Sequence, residues 1–517
     1  ISVRRVASVI VTAMAMTLVF ATLGWAMMPQ WNTRPYAKHI AIASADTTIT
    51  PAHANIPHEG RYRTRETRLS IKTGDGVTLP AVLREPVDAP GPRPACLFIH
   101  GSGTSGAEDF GDIANAMASA GIVTLVPAKR NDNYTVLHRD YPRFAREYGR
   151  SLDVLRGISG VDPAKTGIYA ESEGTWIATI LTSKRQDIAF AILTSAPVFN
   201  GREQMAMAVS AYTHEAGAPK PVVKDMAKLM SLDYAPFDLA YADFDADRYL
   251  KSLTMPVLVN YGTYDTAMPI EQGAQRIIAT ANKSGNENVT VRYFAGNHQM
   301  RAGEGLFTPN LPLAEGYTQA LENWVNGVTA GTKADGWATP QVAGATPHQR
   351  FAAPQRTRSG IVGSLGVMAA ILGIGLTVFS WLQTLLAGRR SVATVRAMHA
   401  TPSGLGAAQQ RTLHGIAGLS AGIGTAVMVI TGLLYGYMSA VGVSAVLVMP
   451  QPRLFAVGWV VLRIATMLLV VLFAWEMERV WYCRADIVGV RRVICVMVAL
   501  GTLATLMTLA FWGLFSL

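Results

Sequence analysis

The segment Gly167-Ile168-Tyr169-Ala170-Glu171-Ser172-Glu173-Gly174-Thr175-Trp176 opens as an apolar, strand-forming run and turns abruptly into the start of a helix. It matches the strand–turn–helix pattern G-x-S-x-G, with Ala170 at the first small position. Small residues are needed there because the central backbone is strained and neighbouring chains pack closely. Alanine meets that need. A turn of this kind lifts the Ser172 hydroxyl above the sheet at a helix N-terminus, where the Glu173 amide can face a developing oxyanion. An ordinary helix-capping serine would use the same residue, so its neighbours must decide.

A serine hydroxyl is a poor nucleophile at neutral pH unless a base assists it. His298 closes the segment Phe294-Ala295-Gly296-Asn297-His298, directly after the eighth strand-like run. Asp265 closes Tyr261-Gly262-Thr263-Tyr264-Asp265, directly after the seventh. The chain order Ser172, Asp265, His298 is the one this strand–turn–helix motif calls for. The loop after the third run reads His100-Gly101-Ser102-Gly103, and the Ser102 amide is the expected second oxyanion donor beside Glu173. His100 is expected to be structural within that loop. Glu171 and Glu173, flanking Ser172, are expected to serve packing or substrate orientation.

Around these residues the pattern alternates. Strand-like runs fall at 67–72, 77–84, 95–99, 122–126, 166–170, 189–194, 256–261 and 289–294, and amphipathic helical stretches separate most of them from the third onward. Gly74-Asp75-Gly76 reads as a hairpin joining the first two. The expected class is therefore α/β, with an eight-stranded, mostly parallel sheet covered on both faces. Residues 198–252 interrupt the alternation with Met-rich and aromatic helical segments, which predicts a helical cap over the carboxyl ends of the strands. Asp243, Asp245 and Asp247 alternate like a calcium loop, but Arg248 and Thr254 stand where Gly and Glu would be required. A cap turn is the better reading, and no metal site is expected.

The ends of the chain are different. An apolar run at 6–28 follows Arg4 and Arg5, and four more occur at 361–387, 412–438, 454–475 and 493–517. The loops carrying Arg389, Arg390, Arg396 and Arg411, and Arg479, Arg484, Arg491 and Arg492, are expected to be cytoplasmic. Both these loops and the N-terminal arginines then place residues 29–358 outside. An uncleaved anchor is expected over a cleaved signal peptide, since no small-x-small site follows closely and Ala43 and Ala45 come later. The predicted domains are an anchor at 1–30, a linker at 31–60, the α/β domain at 61–327, a linker at 328–359 and an all-α transmembrane bundle at 360–517. Within the bundle, Gly418 and Gly422 suggest close helix packing. Arg463 either snorkels or lines a polar site for a lipid phosphate or carboxylate.

The net charge of +10 raises a nucleic-acid partner, but the cations are scattered or flank apolar runs, which fits membrane margins instead. Three cysteines, Cys96, Cys483 and Cys495, show neither a disulfide framework nor zinc spacing.

Residues 61–327 resemble the α/β-hydrolase superfamily. They are particularly similar to bacterial secreted esterases and peptidase-like hydrolases with an H-G-S-G loop, an S-E-G elbow and an N-H histidine. The resemblance implies Ser172 as nucleophile, Asp265 as acid and His298 as base. The constellation points to acyl transfer to water without a cofactor, and the anchor and apolar cap point to a small-molecule or lipid ester of the cell envelope as substrate. Relatives commonly follow H-G-S-G with proline and a charged run. Here Thr104-Ser105-Gly106-Ala107 intervenes, so contacts around that loop do not carry over. An acyltransferase, a peptidase and a non-catalytic sensor or transport protein are the alternatives.

Overall fold

A computed structural model describes residues 3–27, 33–135, 138–231, 242–304, 310–354 and 407–516. The chain divides into two compact units, one of residues 33–211 and 234–355, the other of residues 1–32, 212–233 and 356–517.

The first unit is built on a sheet with, among the described residues, nine strands in the order β1-β2-β4-β3-β5-β6-β7-β8-β9. Strands β1 (Thr64–Lys72) and β2 (Thr78–Pro86) form the antiparallel start. Their turn closes through Thr73 N–H to the Val77 carbonyl at 2.7 Å, with Gly76 at φ 79°. Strands β3 (Arg93–Ile99), β4 (Val123–Pro127), β5 (Val161–Glu171), β6 (Ala191–Thr194), β7 (Val257–Gly262), β8 (Val289–Phe294) and β9 (Val342–Gly344) pair in parallel. This is the α/β-hydrolase plan. The central strands β4, β6, β7 and β8 are buried at every residue, which is why apolar side chains dominate both of their faces.

Helices cover both faces. They are α2 (Gly111–Ser119), α3 (Tyr141–Arg156), α4 (Gly174–Lys184), α8 (Ile270–Lys283) and α9 (Tyr317–Thr329), with α5 (Gly201–Glu215) and α7 (Asp247–Leu250) in the cap interval. Helix α3 starts where Asp140 accepts from the Arg143 amide at 2.9 Å. Helix α8 buries Ile270, Ala274, Ile277 and Ala281, the spacing of one helical face. One side of the sheet packs Leu97, Leu193 and Val259 against α3, α4 and α8. The other packs Phe98, Tyr169 and Ile192 against α2 and α9, with Trp324 at the centre.

Two segments expected to be linkers are structured parts of this unit. Residues 342–344 form β9, paired with Val291, Arg292 and Tyr293 of β8. In the N-terminal segment, Ile49 is buried and Tyr36 donates to Gln275 at 2.7 Å. The buried Arg292 ties the two segments together, donating to the carbonyls of Thr47 at 3.2 Å and Gln341 at 3.2 Å. These are contacts of single residues without periodicity, so the sequence pattern does not disclose them.

The second unit contains α1 (Val3–Ala26), α6 (Lys220–Lys228), α10 (Ala407–Val446), α11 (Pro452–Tyr482) and α12 (Val490–Phe511). Four spans among the described residues, Val3–Ala26, Gly418–Val446, Pro452–Tyr482 and Arg492–Phe511, are long and apolar enough to cross a membrane. The expected span at 361–387 and most of the loop after it lie outside the described residues. Among the described residues nothing comes within 4 Å of where a side chain at Gly418 or Gly422 would begin. The close approach is at Gly24, where a Cβ would lie 2.7 Å from the Ala510 carbonyl oxygen. Arg463 donates to the Ser516 carbonyl at 2.7 Å.

The cap prediction needs correction. Residues 198–252 do not form one body, because 212–233 pack within the helical unit. Ala216 and Val222 join the core with Ile423, Phe455 and Phe511. Gln451 N–H donates to the Ala216 carbonyl at 2.9 Å. Lys228 Nζ donates to the Phe511 carbonyl at 2.7 Å, satisfying the C-terminal end of α12. An apolar helix face has the same spacing whether it docks on a sheet or on other helices, so the sequence could not choose.

Replacing Trp324 by Ala would remove a fully buried ring whose Nε1 donates to Thr290 at 3.2 Å. The expected cost is about 3–5 kcal/mol, read as a lower denaturant midpoint of the sheet unit.

Candidate active site

Ser172 stands between β5 and α4 with φ 53°, a left-handed backbone that costs energy in a non-glycine residue. The surroundings hold it there. Its N–H donates to the Thr194 carbonyl of β6 at 2.9 Å, and its own carbonyl accepts from Thr175 N–H at 2.9 Å and Thr175 Oγ1 at 2.8 Å. Gly174 leaves α4 room to start, since a Cβ there would lie 2.7 Å from the carbonyl oxygens of both Ile99 and His100. Gly101 lets the loop after β3 approach, since its Cβ would meet the Glu171 carbonyl at 2.8 Å and Ser172 Cβ at 3.0 Å.

His298 and Asp265 come from the loops after β8 and β7. His298 Nε2 lies 2.9 Å from Ser172 Oγ, and Nδ1 lies 2.7 Å from Asp265 Oδ2. An ionised carboxylate can only accept, so Nδ1 carries the proton and Nε2 is left to accept from the serine hydroxyl. The other Asp265 oxygen accepts from Ala267 N–H at 3.0 Å. Asn297 Oδ1 closes the histidine loop by accepting from the amides of Gln299 and Arg301, each at 3.0 Å.

The sequence reading missed Ser195. It follows β6, has φ 51°, and its Oγ donates to the His298 carbonyl at 2.7 Å. Nothing in a lone serine after a strand announces that role.

The Gly101-Ser102 loop lies against the elbow. Among the described residues the amides of Ser102 and Glu173, the two expected oxyanion donors, donate to no backbone carbonyl. The His100 ring is buried, with Nε2 3.0 Å from the Pro127 carbonyl, and burial pushes its pKa down to about 4. A neutral ring that spends its proton on a backbone carbonyl is a fastener for the loop.

Glu173 points its side chain away from that loop's amide into a buried charge cluster. Lys129 Nζ donates to its Oε1 at 3.1 Å, Tyr134 OH donates at 3.0 Å, and Arg139 pairs with Oε2. Lys129 also donates to the Gly101 carbonyl at 2.9 Å. Burial lowers the lysine's pKa, and Glu173 works against that shift. The Asp243 and Asp247 side chains pair with Arg202 and Arg276 at 2.5 Å each. Among the described residues no cluster of three or more His, Cys, Asp or Glu is arranged to hold a metal ion.

Glu171 is a second carboxyl within the field of the histidine. Burial raises its pKa to about 7, with His298 and Arg301 opposing and Asp109 and Asp265 adding to the rise. For His298, burial lowers the pKa, but Asp265 and then Glu171 outweigh it, and the net direction is upward.

No family model and no curated protein matches this chain. Solved structures with a similar trace include a 2,6-dihydroxy-pseudo-oxynicotine hydrolase, 16% identical over 54% of this chain and 71% of that one, TM-score 0.36. Another is DcsB in complex with its substrate analogue, 16% identical over 52% of this chain and 100% of that one, TM-score 0.37. A third is the Pyrococcus furiosus esterase PF2001, 15% identical over 49% of this chain and 90% of that one, TM-score 0.33. At these values the likeness brings neither activity nor substrate to this chain.

Glu171→Gln removes a negative charge that favours the imidazolium, so the His298 pKa falls. The acidic limb of Ser172 reactivity toward a fluorophosphonate is expected to move to lower pH, measured as labelling rate against pH.

Proposed function

We propose that this chain is a membrane-anchored serine hydrolase, an esterase acting on acyl esters of cell-envelope lipids or glycolipids from the extracytoplasmic face of a bacterial membrane. The observation that carries the reading is the hydrogen-bonded line Ser172–His298–Asp265, at 2.9 and 2.7 Å, ending on a serine in a left-handed turn at the start of α4. In the proposed reaction His298 Nε2 takes the Ser172 proton as Oγ attacks the ester carbonyl. The amides of Ser102 and Glu173 hold the resulting oxyanion. His298 then protonates the leaving alcohol, which departs and leaves an acyl-serine. Water, deprotonated by the same nitrogen, attacks that acyl group; the acid leaves as His298 returns the proton to Ser172 Oγ. Asp265 holds the histidine tautomer and stabilises the imidazolium.

The membrane part of the reading rests on four helices of sufficient length and apolarity. Its sidedness rests on five crossings, the apolar run at 361–387 being the fifth, with Arg4 and Arg5, the loop carrying Arg389, Arg390, Arg396 and Arg411, and the loop carrying Arg479, Arg484, Arg491 and Arg492 as inner-face charges. Ester substrates of the envelope follow from an anchored site on the outer face.

Intact cells expressing the full chain are expected to react with a membrane-impermeant fluorophosphonate. Ser172→Ala should abolish labelling, and Asp265→Asn should slow ester turnover by about 10³–10⁴-fold. Labelling only after lysis would overturn the sidedness, and labelling that survives Ser172→Ala would overturn the nucleophile.

A further inference from the structure

The carbonyl of Gly101 and the amide of Ser102 belong to one planar trans peptide, so they point in opposite directions. Whatever grips the carbonyl therefore aims the amide. Lys129, two residues beyond the end of β4, grips it with Nζ at 2.9 Å. The same ammonium donates to Glu173 Oε1 at 3.1 Å. Glu173 is the residue whose backbone would supply the other oxyanion donor. One cation thus binds both arms of the proposed oxyanion hole from behind. Its side chain is 2% exposed, and the rings of Tyr134 at 4.3 Å and Phe144 at 5.1 Å flank it. The Lys129 amide donates to the Ser105 carbonyl at 2.8 Å, fastening the far end of the same loop.

We infer that Lys129 is a positioning residue for the oxyanion hole, one that fixes and polarises the Gly101–Ser102 peptide so that its amide faces the charge developing on the substrate. The inference rests on the serine-hydrolase reading above. A neutral donor would suffice to fasten a loop. Burying an ammonium costs several kcal/mol unless its charge is used, and here it has two uses. Drawing electron density onto the carbonyl oxygen strengthens the N–H on the other side of the peptide. Two cations, Lys129 and Arg139, surround the single Glu173 carboxylate, and the net positive field of the cluster also favours negative charge on the reacting oxygen over the neutral carbonyl of the bound ester. Both effects act on the transition state and leave ground-state binding nearly unchanged.

The test uses the full-length protein in detergent, a p-nitrophenyl ester and an arylboronic acid, which forms an anionic tetrahedral adduct with the serine. For Lys129→Met, kcat should fall by about 10–100-fold while KM stays within about threefold. Boronate affinity should fall by the same factor as kcat. Lys129→Gln, which keeps a donor for the Gly101 carbonyl but loses the charge, should lie between wild type and Met, and serves alone if the Met variant does not fold. Unchanged kcat, or a fall in kcat with full boronate affinity, would overturn the role assigned to Lys129. If wild type shows no Ser172-dependent hydrolysis, the serine-hydrolase reading itself fails; hydrolysis lost with Ser172→Ala but kept with Lys129→Met sinks the lysine alone.

Discussion

At residue 172 the chain must reverse from strand to helix within two residues while carrying a side chain, and it does so in a backbone region that a β-carbon disfavours. Strain of this kind persists only where several neighbours hold it. Here β6 supplies a carbonyl, Thr175 supplies two donors, and Gly101 and Gly174 supply the absence of side chains that lets β3 and α4 close in. Each arm of the site is then positioned relative to that turn. The loop after β3 can lie on it because position 101 carries no side chain, and the histidine reaches it because Ser195 and Asn297 shape the loop after β8. Loosening the turn would release all of them.

What the sequence disclosed, and what it withheld, follows from the range over which each feature is encoded. The elbow is local: five residues carry its small–Ser–small chemistry, so Ser172 can be singled out by reading along the chain. Asp265 and His298 are distant in sequence, yet each directly follows an apolar run, and the parallel sheet delivers such ends to one rim. The three side chains do meet. Lys129 was invisible because a lone lysine after a strand looks like any surface cation; only burial beside Glu173 and the Gly101 carbonyl distinguishes it. Strand β9 was invisible for a different reason. Its three residues, Val342, Ala343 and Gly344, are too few to show a period, and their pairing depends on an edge that β8 offers.

The helical unit carries the same lesson at larger scale. Apolar length identified helices that can cross a bilayer, because length and composition are all that a bilayer tests. Specific contacts were another matter. No glycine pattern marked Gly24, alone in its helix, yet it meets the Ala510 backbone. Residues 212–233 showed an amphipathic helix without showing its partner. Their ties to Phe511 and Gln451 mean that the long excursion between β6 and β7 is anchored among the membrane-type helices at its midpoint.

Strand β9 also fixes where the sheet unit can safely be separated from the rest of the chain. A cut after α9, at the apparent end of the α/β pattern, would strip the partner from β8 and leave Val291–Tyr293 presenting bare amides and carbonyls along an apolar strand. It would also leave the Arg292 guanidinium without the Gln341 carbonyl that helps to hold it. Such an edge invites pairing with the same edge of another molecule. A form that ends beyond Ala353 keeps the strand and so keeps that stretch of β8 paired.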